Sequence, residues 1–450
     1  MTDRADADLL VEHGVVVTMD PDRRVFADGA IAVRGGAIVD VGPSASLSQR
    51  WIATDRLDLE GNVVLPGLVN AHVHLTGLDL FPGLEPADSP VADHLSNWAL
   101  PAHEFATPAD ERATARFLGL QMLRQGVTAF IEAGTIRFPE AVLDGLADLR
   151  LRGSIGTWTW DRWARPAAFG TTTDAAIRRM AAALDLTKPG ARIQVWPTLI
   201  GHTACSDELW RAAADAARAR DSHWSFHMSP GTNDGDYYRQ TTGRDPLVHL
   251  DEIGVLDERA VVAHAIHVSD AEIDALNRSG ASVAFCPASS LHHASGVTRA
   301  GRHPEMHHVA LGTDSPHRLP LLQVAGLLCS VYGDMHRDRS SVLPERALEW
   351  LTLAGAGALG GADRIGSLEV GKRADLAVFE VTRPLYNVAN ALVHHATTGR
   401  AVHVFVDGEH VVRYGHVAGE DAIVAEANQA GQRLAREAGF PTITGWPLIE

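Results

Sequence analysis

The sequence predicts an α/β protein: a (β/α)8 TIM barrel carrying a small composite β-sandwich built from the N- and C-terminal segments. Three observations point there. Eight apolar runs alternate with helical patterns through the middle of the chain, β-like runs occur near both termini, and several of the middle runs end on a histidine or aspartate.

Taken in order, the first 60 residues read as β structure. Leu9–Met19, Gly29–Val33 and Ala37–Val41 are apolar or alternating runs, separated by turns at Asp20-Pro21 and Gly35-Gly36. The middle, about 65–361, offers strand candidates at Val63–Val69, Thr128–Glu132, Gly156–Trp160, Ile193–Ile200, His223–His227, Ala260–His264, Ser282–Cys286 and Val309–Gly312. Helical patterns such as Ala106–Gln125 and Asp270–Ser279 lie between them. β segments return at Ala374–Val381, Val402–Asp407 and His410–Tyr414, and 420–438 is an amphipathic helix pattern. The expected domains are 1–64 and 363–418 for the two parts of the sandwich, 65–362 for the barrel, and 419–450 for a terminal helix and tail.

Bulk properties narrow the function. The 450 residues carry 39 Lys+Arg against 56 Asp+Glu, a formal net charge of −17 that repels phosphate backbones and anionic lipid. Neither nucleic acid nor membrane is an expected partner; a small molecule is. Cys205, Cys286 and Cys329 are far apart and lack Cys-x-x-Cys spacing, so they suggest no disulfide framework and no thiolate metal site. Met1 to Asp8 is charged with no apolar core, which predicts no secretory leader and a cytoplasmic setting.

Histidine is the unusual count, at 23. His72 and His74 follow LPGLVNA, and residues two apart on a strand point to the same face, so the pair can grip one cation. At this histidine content about one His-x-His is expected by chance, so the pair alone decides little. Context adds weight. His227 ends HWSFH, His264 ends VVAH and Asp314 ends VALGTD, each the last polar residue of a β-like run, where barrel enzymes place catalytic groups. Three imidazoles and one carboxylate suit a divalent metal, zinc foremost with iron as the alternative, and leave room for a water.

LPGLVNAHVHL, VVAHAIHVSDAEIDAL, VAFCPASSLHHASG, VALGTDS and LGGADRIGSLEVGKRADLAVF occur in this order and span nearly the whole chain. Together they resemble the amidohydrolase superfamily, in its cytosine-deaminase-like and chlorohydrolase (triazine hydrolase) branch. The resemblance implies a barrel inserted in a composite β-sandwich and one metal ion on His72, His74, His227 and Asp314. It implies that His264 polarises or stabilises the substrate oxygen and that Asp314 takes the proton of the attacking water. Dinuclear members carry a bridging Lys or Glu at the fourth strand; VWPTLIGHTAC has neither, which favours one ion. Relatives commonly form homo-oligomers, so that assembly is expected.

One departure bears on the reaction. Deaminating members usually carry His-x-x-Glu at the fifth strand, where the Glu protonates a ring nitrogen. Here the stretch reads His227-Met228-Ser229-Pro230, and proline protonates nothing. Hydrolysis of a real carbonyl C–N bond (amide, urea, carbamate or lactam) needs no such shuttle and is the favoured expectation. The alternative is a heterocycle aminohydrolase with a different acid, such as Asp234 or Asp236, both of which read as residues of a solvated loop. A non-catalytic binding or scaffold member is the third reading, against which the intact ligand positions speak. Trp98, His202 and Trp160 are the substrate-contact candidates. Asp93, His94 and His103 share the long segment of Trp98, and Trp158 and Trp163 share the cluster of Trp160.

Overall fold

The computed structural model describes residues 5–75, 77–81, 94–163, 172–297, 306–314, 319–381, 385–395 and 399–440. Asp93 and the side chain of His94 lie outside the described residues. At the start, β1 (Ala5–Val17) pairs antiparallel with β2 (Val25–Arg34), which pairs with β3 (Ala37–Pro43). The other edge of β1 is shared. Its first half runs parallel to β4 (Trp51–Asp58) and its end runs parallel to β5 (Val63–Pro66). The change of partner falls at His13 and Gly14, where the β1–β2 register shifts and His13 takes a positive φ of 57°. A Cβ on Gly14 would lie 2.4 Å from Leu59 Cδ1, so the position needs glycine for close approach.

The run expected as one strand over Val63–Val69 belongs to two sheets. Pro66 has no N–H to continue a ladder, and the chain turns at Gly67 against Thr128, where a Cβ would come within 2.0 Å of Oγ1. Beyond it, β6 (Leu68–Val73), β7 (Val127–Glu132), β8 (Arg152–Ile155) and β9 (Ile193–Val195) form a four-stranded parallel sheet. β10 (Thr198–Gly201), β11 (Trp224–Met228), β12 (Ala260–His264), β13 (Ser282–Phe285) and β14 (Val309–Leu311) form a five-stranded parallel sheet. These strands are almost wholly buried, as expected of parallel strands covered on both faces.

Two seams relate these sheets. The expected fourth strand, Ile193–Ile200, is interrupted at Pro197. Trp196 N–H donates to Ile155 O on one side, and Ser225 N–H donates to Pro197 O on the other. At the second seam Asp314 N–H donates to His72 O at 2.9 Å, and His74 N–H donates to Asp314 O at 2.9 Å. The expected third strand, Gly156–Trp160, is displaced: the paired residues are Arg152–Ile155, and the tryptophans follow beyond the strand end.

At the C-terminal end, β15 (Leu376–Phe379) pairs antiparallel with β5, and β16 (His403–Val406) and β17 (Glu409–Arg413) follow. Both ends of the chain therefore build one eight-stranded sheet, with β4 as a branch from β1. Asp407, just after β16, ties this sheet to the parallel strands. It accepts from Arg152 Nη2 at 2.7 Å, from Arg192 Nε at 2.7 Å and from Arg373 Nε.

The helices carry their signals in the sequence. Thr107 and Asp110 form a capping box for the helix Pro108–Arg124, and Ser269 and Glu272 form another for Asp270–Ser279. The terminal helix Glu420–Glu437 lies against Pro108–Arg124 through Arg112–Glu426 at 2.7 Å and Arg433–Asp110. Among the described residues no helix is long and apolar enough to cross a membrane.

Candidate metal centre

Alternation on β6 brings His72 and His74 to one side of the strand end, and the seam to β14 sets Asp314 beside them. Their donor atoms lie within 4.8 Å of one another. His74 Nε2 is 2.8 Å from Asp314 Oδ1, and His72 Nε2 is 3.7 Å from the same oxygen. β11 delivers His227 and β12 delivers His264. With His72 they form a second buried triad whose donor atoms also fall within 4.8 Å. Ring centroids separate His72 from His227 by 4.9 Å and from His264 by 5.3 Å. All five residues expected to do chemistry thus converge on one point.

Hydrogen bonds orient these groups. His227 Nδ1–H donates to Ile200 O at 3.0 Å, which leaves Nε2 without a proton and free to ligate. Asp314 Oδ2 accepts from the Ser289 hydroxyl at 2.5 Å, leaving Oδ1 toward the histidines. Burial would raise the Asp314 carboxyl, but His72 and His74 outweigh it and hold the group well below the usual carboxylate range. Burial pushes His227 well below the ordinary imidazole value and His264 down to about 3, so both rings are neutral, as ligation through His227 requires.

His72 Nε2 is buried and has no hydrogen-bond partner, a state that costs free energy unless something is meant to bind there. A divalent cation fits: three imidazoles and one carboxylate surround the point, and no lysine or glutamate from β10 intrudes as a bridge. The backbone is strained at the same place. His202, Ser229, His264 and Asp314 all have positive φ, between 53° and 74°, a conformation that clusters at functional sites.

Two residues described as loop candidates separate here. Asp236 is exposed and paired with Arg239. Asp234 is buried in the first turn of the helix Asn233–Thr242, where its carboxylate accepts from Ser229 N–H at 2.7 Å and bonds His202 Nδ1 at 2.9 Å. The loop reading of Asp234 is therefore corrected: the glycine-rich stretch is the start of a helix. His202 stacks beside His227 at 5.6 Å between centroids and stays part-exposed.

Among the other substrate candidates, Trp160 is fully buried between Trp158 and Trp163, at 5.3 and 6.0 Å. Trp98 is half-buried near Phe440. His103 sits edge-on to Trp158 at 4.5 Å, its pKa pushed down to about 3 by burial and the charge of His74. Glu132 and Thr135 support His74 from behind; Glu132 ends the run Thr128–Glu132 as His227 and His264 end theirs, a signal that sequence reasoning missed, whereas Thr135 has none. Ser289 is equally silent.

The chain belongs to the amidohydrolase family, whose description matches residues 63–411. It is a hydrolase acting on carbon–nitrogen bonds other than peptide bonds. It is 30% identical over 414 residues to the 5-methylthioadenosine/S-adenosylhomocysteine deaminase of Syntrophobacter fumaroxidans, covering 90% of this chain and 93% of that one. A crystal structure of an adenosine deaminase from Xanthomonas campestris with bound zinc superposes with a TM-score of 0.89 at 27% identity, over 96% of this chain and all of the other. The fold is also that of an atrazine chlorohydrolase from Arthrobacter aurescens, with a TM-score of 0.84 at 22% identity over 94% of this chain and 100% of that one.

Proposed function

We propose that this protein is a metal-dependent aminohydrolase that removes the exocyclic amine of an aminated N-heterocycle of the purine-nucleoside type. The observation that carries this reading is the near full-length likeness to a 5-methylthioadenosine/S-adenosylhomocysteine deaminase. It favours the alternative drawn from the sequence over hydrolysis of an amide, urea, carbamate or lactam. In the same reading the two parallel sheets are one (β/α)8 barrel over 65–362. The segments 1–64 and 363–418 make the sandwich, 419–450 is a terminal helix and tail, and the enzyme is a cytoplasmic homo-oligomer.

His72, His74, His227 and Asp314 would hold the ion, zinc as in the Xanthomonas deaminase. When bound, a divalent ion supplies the Lewis acidity that makes water a nucleophile at neutral pH. Asp314, kept ionised, accepts the proton lost by that water. His264 is neutral and can donate one N–H to the oxygen that adds to the ring carbon.

The ring nitrogen still needs a proton, and position 230 is proline. We assign that role to His202 backed by Asp234. The carboxylate is fixed by Ser229 N–H and holds His202 Nδ1, so the ring's other nitrogen serves the substrate. Supporting this, His202 follows β10 and stacks beside His227, and Asp234 reaches it from the first turn of the helix after β11.

The test is product release from two panels by the zinc-loaded enzyme. Ammonia from adenosine, 5-methylthioadenosine or S-adenosylhomocysteine, reduced about 10²-fold or more in His202→Gln and Asp234→Asn, is the expected result. Turnover confined to ureas, carbamates or N-acyl compounds would reverse it.

A further inference from the structure

His74 is held from behind by a short relay. Its Nδ1 lies 3.3 Å from Thr135 Oγ1, and that hydroxyl lies 2.6 Å from Glu132 Oε1. Glu132 is fully buried at the end of β7 and accepts three backbone N–H groups as well: Gly134 at 2.7 Å, Thr135 at 2.9 Å and Gly156 at 3.2 Å. So many donors aimed at one carboxyl group fix both of its oxygens as acceptors. The Thr135 hydrogen therefore goes to Glu132, over the shorter of the two contacts, and the lone pairs of Oγ1 face His74. Only Nδ1–H can answer that acceptor. The imidazole is thereby set with its proton on Nδ1 and with Nε2, the atom facing Asp314 at 2.8 Å, free to bind a cation.

We infer that Thr135, anchored by Glu132, is a positioning residue for the metal centre: it selects the tautomer and ring orientation in which His74 ligates. The local chain is built for this. Gly134, between the two residues, has φ of 79° and packs against Thr198, where a Cβ would come within 2.3 Å. The turn after β7 can thus fold back so that Glu132 caps the backbone of Gly134 and Thr135 and presents one hydroxyl to β6. Thr135 is itself almost fully buried, so water does not substitute for the hydroxyl.

The inference rests on His74 being a ligand, and the two ideas fail separately. Zinc affinity of the purified full-length chain, stripped and titrated against a competing chelator, is compared among wild type, Thr135→Val, Thr135→Ala and Thr135→Ser. Wild type that takes up no zinc sinks the ligand assignment. With wild type binding, Val and Ala variants weaker by about 10- to 100-fold and a Ser variant close to wild type are expected. Val or Ala variants that bind as tightly as wild type, or a Ser variant as weak as Ala, would overturn the role of the hydroxyl. Melting of the stripped proteins identifies a misfolded Val variant, in which case the Ala and Ser pair decides.

Discussion

Asp407→Asn tests how firmly the sheet made by the chain ends is clasped to the parallel strands. The carboxylate receives three guanidinium groups, and these differ in burial. Arg152 is 14% exposed, whereas Arg192 and Arg373 are 34% and 36% exposed. Stranding a buried partner costs ~3–5 kcal/mol, while each exposed pair contributes only ~0–1 kcal/mol. Arg152 keeps Asp375 at 3.1 Å as a second carboxylate, which offsets part of the loss. With that offset the net loss is about 2–4 kcal/mol. Urea denaturation followed by tryptophan fluorescence should show a lower midpoint with an unchanged slope. Turnover of the folded, metal-loaded enzyme should be unaltered, because Asp407 lies at the opposite ends of the strands from the histidines. The pH dependence gives a second reading. Burial alone would raise the carboxyl, but Arg192, Arg152 and Arg373 bring it from its ordinary 3.8 to about 2. A depressed pKa means the stabilisation is complete above about 4 and fades as pH falls through about 2. The variant should lack that acid-dependent part. A loss below about 0.5 kcal/mol, within the range of an ordinary surface change, would refute the clasp.

Three further outcomes are expected. Asp314→Asn should lower kcat by about 10²- to 10⁴-fold in a metal-saturated assay, and near wild-type turnover would exclude Asp314 as the base. Gly312→Ala should destabilise by ~1–3 kcal/mol and lower metal content by elemental analysis, since overpacking here meets backbone that cannot yield. The new Cβ would lie 2.7 Å from His72 O and 2.8 Å from His72 N and Cβ, so unchanged stability and metal content would contradict the contact. Stripping the ion with a chelator should lower the melting temperature, by the equivalent of about 2.7 kcal/mol when free metal stands at 100 times its Kd. Identical melts of stripped and loaded protein would count against a native-state ion.

Much of the site was legible because it follows the period of a strand. His72-x-His74, His227, His264 and Asp314 each end a run of small and apolar residues, and the structure places them together. Ala260–His264 and Asp270–Ser279 were readable to the residue because burial and capping chemistry both mark their limits. What sequence could not show has specific causes. Val63–Val69 looks continuous because both sheets bury apolar residues; only the geometry at Pro66 and Gly67 divides it. The tryptophans at 158 and 160 read as strand because large aromatics favour strands, yet they pack beyond its end. Asp234 read as loop because Gly, Asn and Asp are also the residues of helix starts. Glu132, Thr135 and Ser289 act through partners from other strands, and a single sequence carries no trace of who those partners are.

The seam between β6 and β14 sets an order of events during synthesis. Asn70 Nδ2 donates to Thr313 Oγ1 across 243 residues of chain, beside the place where Asp314 N–H donates to His72 O. A ribosome delivers the first two histidines early and the carboxylate some 240 residues later. Until then the growing polypeptide carries only part of the proposed ligand set, imidazoles without the carboxylate, which holds a divalent ion less tightly than the full set. Selection of the correct ion is thereby deferred to the moment the last parallel strand docks against the first. The complete proposed site thus exists only in the finished fold, which can then lose and regain its ion.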